Sequence, residues 1–303
     1  MPIQTLQTDV LVVGAGPAGL TAGLYAARSG KRTLILRGRA PSRLGVDYTI
    51  ENYPGFLSIG SRELLDKFRD QAVHFGAEIV EGDAIAFGLE SSPKYVTTKA
   101  FLIEAKAVIL ATGKPVPRDR LIPGEDRLIG QGVSYCATCD GPFFRGAEVV
   151  AVGSSEEARE DVEALLQMGC RVLWVPGKPL AGPESEAASE VEQRGAAVRR
   201  AARVTEIIGT ERVEKVRLDE AGRVEDVTAA AVFIFRDIPA APLFDRAGLA
   251  LDHKQCVAVD RFQRTNIPGV FAAGDITCGG LQVVAAAGEG CVAALQALIS
   301  LRK

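Results

Sequence analysis

Two cysteines separated by two residues, Cys136-Ala137-Thr138-Cys139, stand directly before Asp140. At that spacing two sulfurs can close a disulfide, and one of them can carry the lowered pKa that thiol–disulfide exchange requires. Two other readings fit a Cys-x-x-Cys: half of a zinc site, or two unrelated buried thiols. Zinc needs about four ligands, yet there is no second Cys-x-x-Cys and the only histidines are His74 and His253. Redox chemistry without a metal is the favoured reading. Asp140 fits either the acid–base group of the exchange or a turn residue.

A second group of residues suits a phosphate. Gly14-Ala15-Gly16-Pro17-Ala18-Gly19 follows the apolar run 8–13 and opens a helical pattern from Pro17 to Ser29, closed by Gly30. Strand, glycine turn and helix in that order form the context a dinucleotide site requires. The glycines allow the tight turn, the approach of a pyrophosphate and helix–strand packing, and the helix N-terminus attracts anions. The next strand, 32–36, ends near Arg37, where an acid often holds a ribose; an arginine there suits a phosphate or a ribose hydroxyl. Late in the chain Gly274-Asp275 separates the strand 269–273 from a helix over 282–299. Such an aspartate either binds a polyol beside the helix dipole or is a turn residue and helix cap.

The elements that position these groups repeat. A second strand–helix–strand runs over 147–152, Glu156–Met168 and 171–175, about 140 residues after the first. A helix is expected over 62–76, with Leu64, Leu65, Phe68, Ala72 and Phe75 on one face, and another over 184–194. Prolines at 115, 117, 123, 239 and 242 mark two crossings. The expected fold is α/β, with two Rossmann-like dinucleotide-binding domains, the second inserted into the first: 1–114 plus 243–303 outside, 115–242 inside. At roughly 100–200 residues per domain, 303 residues suit two domains. The net charge of -3, from 35 basic and 38 acidic residues, gives no electrostatic footprint for nucleic acid. No run is expected to reach the ~18 apolar residues of a membrane span. The N-terminus does not read as a signal peptide, so the expected location is cytoplasmic. Cys170, Cys256, Cys278 and Cys291 each stand alone and are expected as small buried hydrophobes.

With these motifs in order, the chain resembles the low-molecular-weight thioredoxin reductases. The matching segments are 12–30, ENYPGF (51–56), ATG (111–113), SYCATCDGPFF (134–144), GVFAAGD (269–275) and LQVVAAAGEG (281–290). The resemblance implies homodimers with FAD in the outer domain and NADPH in the inner one. It implies that Cys139 faces the flavin, Cys136 attacks a protein disulfide, thioredoxin by default, and Asp140 is the acid–base residue. It implies FAD contacts at Gly14, Gly16, Pro17, Ala18, Asn52, Thr112, Gly113, Gly274, Asp275, Gln282 and Val283.

The chain departs from that family at the inner nucleotide site, Gly153-Ser154-Ser155-Glu156-Glu157-Ala158. Ser155 replaces the glycine that admits pyrophosphate, and Glu157 puts negative charge beside a negative ligand, a repulsion on the order of several kcal/mol. The family's arginine cluster after 171–175 is reduced to Lys178, which cannot form a bidentate clamp. A family glycine is Arg236. Together these argue that NADPH binds poorly or not at all. On the flavin side, Ser42-Arg43-Leu44 replaces a Gly-Gly-Gln segment and Leu281 an arginine. The chain thus resembles the nucleotide-independent members, which take electrons from ferredoxin or carry a second FAD in the vacated pocket. Two alternatives stand beside that: an ordinary NADPH-dependent thioredoxin reductase, and a flavin-binding redox sensor without turnover.

Overall fold

The computed structural model describes residues 4–39, 42–45, 48–113, 121–178, 180, 183–235, 244, 247–279 and 281–302. The chain forms two compact units, Met1–Pro115 with Ile238–Lys303, and Val116–Asp237. Both expected crossings, near 115 and 241, fall outside the described residues.

The first apolar run becomes a central strand because both of its faces are covered. In β1 (Gln4–Val13), Val10 and Val12 join one buried cluster with helical alanines, while Leu11 and Val13 join another on the opposite face. Burial on both faces explains why the strand reads as continuous rather than alternating. Helix α1 (Pro17–Arg28) returns the chain to β2 (Thr33–Arg37), parallel to β1. A small antiparallel pair, β3 (Thr49–Ile50) with β4 (Ile59–Gly60), leads into α2 (Ser61–His74). Leu64 and Ala72 are buried as expected, but Phe75 lies beyond the last turn and is exposed, with the Arg28 guanidinium 5.6 Å from its ring centre. Strands β5 (Glu78–Glu81), β6 (Ala86–Gly88), β7 (Lys94–Thr97) and β8 (Phe101–Leu110) complete a sheet ordered β5-β2-β1-β8-β7-β6.

The second unit repeats the pattern. After β9 (Val133–Ser134) and the single turn α3 (Ala137–Asp140) come β10 (Glu148–Val152), α4 (Glu156–Gln167), β11 (Arg171–Val175), α5 (Pro183–Gln193) and β12 (Ala197–Val198). An antiparallel meander of β13 (Ala202–Ile208), β14 (Lys215–Glu220) and β15 (Arg223–Thr228) precedes β16 (Ala231–Ile234). The parallel sheet runs β12-β11-β10-β16-β9. In both units the first strand of the strand–helix–strand lies between its successor and a later strand. Where strand order reverses in this way, the carboxyl ends of the strands leave a ligand crevice.

The chain then returns to the first unit with β17 (Val270–Ala272), parallel to β8, and α6 (Val283–Ser300). By length and composition α6 could cross a membrane, with 18 residues of mean hydropathy 1.6. Glu289 and Gln296 interrupt it, so the helix contains no unbroken apolar run of that length. Its apolar character has a local cause: it packs on α1, so closely that a Cβ on Gly290 would stand 2.1 Å from the Ala18 carbonyl oxygen.

Candidate active site

In the outer unit the three glycines of the first turn carry separate duties. Gly14 has φ +120°, and a Cβ there would lie 2.1 Å from the Ala111 carbonyl oxygen at the end of β8. A Cβ on Gly19 would lie 1.9 Å from the Gly14 oxygen. Both positions are closed by the fold itself. Gly16 is different: its nearest neighbour would be the Ser42 hydroxyl, at 3.5 Å. Gly16 is the N-cap of α1 and provides no side-chain cap, and Pro17 follows at the first helical position. The first-turn amides of α1 therefore receive no cap from that residue and adjoin open space, as a phosphate site needs. Ala15, Pro17 and Ala18 line the same turn, and Thr112 and Gly113 follow β8 beside it.

Arg37 ends β2, and its guanidinium pairs with Glu81 on β5, its register partner.

The Asp275 segment is held from α6. The Glu289 carboxylate accepts the Gly274 N–H at 2.6 Å and the Thr277 hydroxyl at 3.0 Å. Burial pushes the Glu289 pKa above its ordinary 4.5, and the two hydrogen bonds pull it partly back. Asp275 forms an ion pair at 3.2 Å with Arg43, from the segment that departs from the family pattern. Asn52 donates to the Gln282 side chain at 3.3 Å, and Val283 begins α6, so these three residues gather at one helix end.

In the inner unit Cys136 is disulfide-bonded, and the side chain of Cys139 lies outside the described residues. The Ser134 hydroxyl donates to the Asp140 carboxylate at 2.6 Å and accepts the Cys136 N–H at 3.1 Å. Burial raises the Asp140 pKa above 3.8, with the Ser134 hydrogen bond opposing it. A carboxyl that holds its proton to higher pH beside a cysteine pair suits proton transfer to a leaving thiolate. Next door, the Tyr135 hydroxyl donates at 2.7 Å to Glu125, which is fully buried and also accepts the Ile122 N–H.

The inner nucleotide turn keeps its architecture and changes its surface. Gly153 has φ +142°, and a Cβ there would meet the Phe235 oxygen at 2.2 Å, the counterpart of the Gly14 contact. The Trp174 indole N–H donates to the Gly153 carbonyl at 2.7 Å. Ser155 stands where the outer turn has Gly16, and its hydroxyl accepts the Ala158 N–H at 3.1 Å, capping α4. Glu156, at the first helical position, is exposed and pairs with Arg159. Ser154 lies between Gly153 and the cap, and Lys178 is exposed beyond β11. Nearby Arg199 and Arg200 pair with Glu220, Glu225 and Glu192. Arg236 and the side chain of Glu157 lie outside the described residues. The outer turn leaves its helix N-terminus uncapped at Gly16, as a pyrophosphate site needs, whereas the inner turn caps its helix with Ser155.

A family model for pyridine nucleotide-disulphide oxidoreductases matches residues 8–290. The thioredoxin reductase of Aquifex aeolicus is 36% identical over 95% of this chain and 91% of its own. The crystal structure of the Streptococcus pyogenes thioredoxin reductase matches with a TM-score of 0.86 at 31% identity, covering 98% of each chain. The chain belongs to the thioredoxin reductase family. It is accordingly a flavoprotein disulfide oxidoreductase with a Rossmann-type fold. A solved family relative, the ferredoxin-flavin thioredoxin reductase of Clostridium acetobutylicum, is 29% identical with a TM-score of 0.54, covering 99% of each chain.

Within this thioredoxin reductase fold, four supporting residues escape the sequence: Glu81, Glu125, Ser134 and Glu289. Only Ser134 and Glu289 left a trace there, inside segments that match the family. The cysteines also require correction. Cys256 and Cys278 are not lone hydrophobes but are joined in a disulfide. Cys170 is buried as expected, whereas Cys291 is only partly so.

Proposed function

We propose that this protein is a FAD-dependent thiol–disulfide oxidoreductase whose electron donor is not NADPH. One observation carries the second half of that reading: the contrast between two helix N-termini. Gly16 leaves the start of α1 open, while Ser155 spends its hydroxyl on the Ala158 amide and Glu156 presents a carboxylate at the same end. An anion approaching α4 displaces a cap worth about 1 kcal/mol and meets a like charge.

FAD is assigned to the outer unit, held by Gly14, Ala15, Gly16, Pro17, Ala18 and Gly19, by Thr112 and Gly113, and by Asn52, Gly274, Asp275, Gln282 and Val283; Arg37 lies at the ribose end. When bound, FAD supplies two-electron transfer. Two electrons and two protons convert the Cys136–Cys139 disulfide to a dithiol. The Cys136 thiolate attacks the disulfide of a partner protein, Cys139 resolves the mixed disulfide, and Asp140 protonates the departing thiolate. The family resemblance supports thioredoxin as that partner and a homodimer as the assembly.

The obstruction at α4 applies equally to the pyrophosphate of a second FAD. Ferredoxin is therefore the favoured donor, and the Clostridium acetobutylicum relative gives a precedent by its name. The names of the relatives support a second reading, an ordinary NADPH-dependent thioredoxin reductase. An anaerobic titration with NADPH, after counting flavins per chain, separates them. The expected result is one flavin, unbleached by near-stoichiometric NADPH and fully reduced by dithionite. Prompt bleaching by NADPH overturns the proposal in favour of the ordinary enzyme, and two flavins per chain overturn the choice of ferredoxin.

A further inference from the structure

The Cys256–Cys278 pair lies outside the Cys-x-x-Cys chemistry. The two residues are 22 apart in sequence with Cα atoms 5.9 Å apart, inside the roughly 4.4–6.8 Å that disulfides span. Cys256 is fully buried in a tight bend: its N–H donates to the Asp252 carboxylate at 2.9 Å and its carbonyl accepts the Asp252 N–H at 2.8 Å. Cys278 closes the short 3-10 turn Asp275–Thr277 and is partly exposed. Its φ is +58°, a left-handed conformation that a non-glycine residue adopts at some cost. A cysteine at such a position points to a use for its sulfur. Between the two, the Val257 N–H donates to the Ile276 carbonyl at 3.0 Å. The bond thus anchors the segment that carries Asp275 to a fixed bend. That anchor stands opposite the hold Glu289 exerts on Gly274 and Thr277.

We propose that Cys256–Cys278 is a second thiol–disulfide exchange site, opened by a dithiol reductant at Cys278, and that its closed form keeps the Asp275 segment in the shape that retains FAD. The coupling to FAD rests on the reading that Asp275 belongs to the flavin site. In the opening reaction a reductant thiolate attacks the Cys278 sulfur, the bond to Cys256 breaks, and Cys256 leaves as a thiolate and takes a proton. The second thiol of the reductant, as its thiolate, then displaces Cys278 from the mixed disulfide. The reductant loses two electrons and becomes a disulfide, while the two cysteines gain two electrons and two protons. Attack falls on Cys278 because Cys256 has no exposed surface. Protein dithiols are the product class of a disulfide reductase, so accumulating product can open the site and loosen the cofactor.

The test uses the full-length holoprotein. Peptide mass mapping after alkylation, with and without prior dithiothreitol, reads the bond. The release of FAD on dilution, followed by free-flavin fluorescence, reads the coupling. A Cys256→Ala/Cys278→Ala double variant reproduces the open form without reductant. The expected results are a linked 256–278 peptide that dithiothreitol separates, and FAD release about tenfold faster in both the reduced wild type and the double variant, as loss of a cross-link loosens the joined segments. Cys256 and Cys278 both alkylated as free thiols in the untreated holoprotein, as Cys170 and Cys291 are expected to be, overturn the exchange site. A linked peptide that native dithiothreitol cannot open overturns it as well, and this outcome needs no variant to fold. FAD retained with unchanged release after reduction overturns the coupling alone. A protein that binds no FAD at all overturns the flavin reading and the coupling together, while the mapping still decides the exchange site.

Discussion

Replacing Glu289 by alanine removes the acceptor of the Gly274 N–H and of the Thr277 hydroxyl. Thr277 has an alternative, since its hydroxyl already lies 2.9 Å from the Gly274 carbonyl. Gly274 is buried and its amide has no second acceptor nearby in the described hydrogen bonds. A buried donor left unpaired costs about 1–3 kcal/mol, so the bulk of the loss comes from this one amide. If the whole loss falls on the FAD-competent loop, affinity for FAD drops roughly 5- to 150-fold. Glu289→Gln keeps a carbonyl oxygen where both bonds converge and changes affinity by less than about 1 kcal/mol. Titration of the apoprotein with FAD, followed by flavin fluorescence, measures both variants. A pH series adds a second readout. Burial raises the Glu289 pKa above 4.5 in the folded protein. The group therefore favours folding most below 4.5 and loses that contribution as pH rises from 4.5 through the higher folded value. Glu289→Gln flattens that limb of the stability profile. Equal affinities for the alanine and glutamine variants would refute the hydrogen-bond argument, as would an unchanged pH limb in Glu289→Gln.

Gly16→Ala places its Cβ 3.5 Å from Ser42, so the chain folds but loses FAD occupancy, whereas Gly14→Ala collides with the Ala111 carbonyl and yields little folded protein; thermal melts and flavin absorbance distinguish the two. Ser155→Ala uncaps α4 and lowers stability to denaturant by about 1 kcal/mol, while Ser155→Thr, which keeps a capping hydroxyl, costs less; a Ser155→Ala protein as stable as the wild type would show that the hydroxyl is not the cap. Asp140→Asn abolishes the titration of that carboxyl and slows exchange at the cysteine pair. Ser134→Ala removes the bond that opposes burial, so the fall of the exchange rate as Asp140 loses its proton moves to higher pH; a shift to lower pH in stopped-flow thiol exchange contradicts this.

The parts legible from sequence depend on neighbours along the chain. A glycine turn between an apolar run and a helix pattern is local, so both strand–helix–strand units and the Ser155 departure could be read directly. The parts missed depend on contacts between distant residues. Arg37 meets Glu81 only because β2 and β5 run parallel in a particular register. Cys256 and Cys278 each look solitary until the return of the chain brings two bends together. Glu289 sits in an alanine-rich helix where periodicity marks a buried face, and a lone acid gives no sign of what it accepts. The apolarity of α6 likewise has its cause in a distant contact, a small-residue face pressed on α1.

The two glycine turns separate what the fold requires from what the ligand requires. Gly14 and Gly153 share a positive φ and a near-identical collision with the carbonyl at the end of the neighbouring strand, 2.1 Å and 2.2 Å for an added Cβ. A Rossmann-type turn cannot close without a glycine there, whatever it binds, so its retention in the inner unit is no evidence for a nucleotide. The second position is free of that constraint. At Gly16 an added Cβ meets nothing closer than 3.5 Å, so the fold itself does not require a glycine at that position. In the inner unit the same position carries Ser155, and its hydroxyl satisfies the helix amide that a phosphate would otherwise occupy. A site abandoned by its ligand loses the second glycine before the first, because losing the first costs the fold. The inner unit has this pattern, which supports the proposal that its α/β framework serves as the scaffold for Cys136, Cys139 and Asp140 rather than as a nucleotide site.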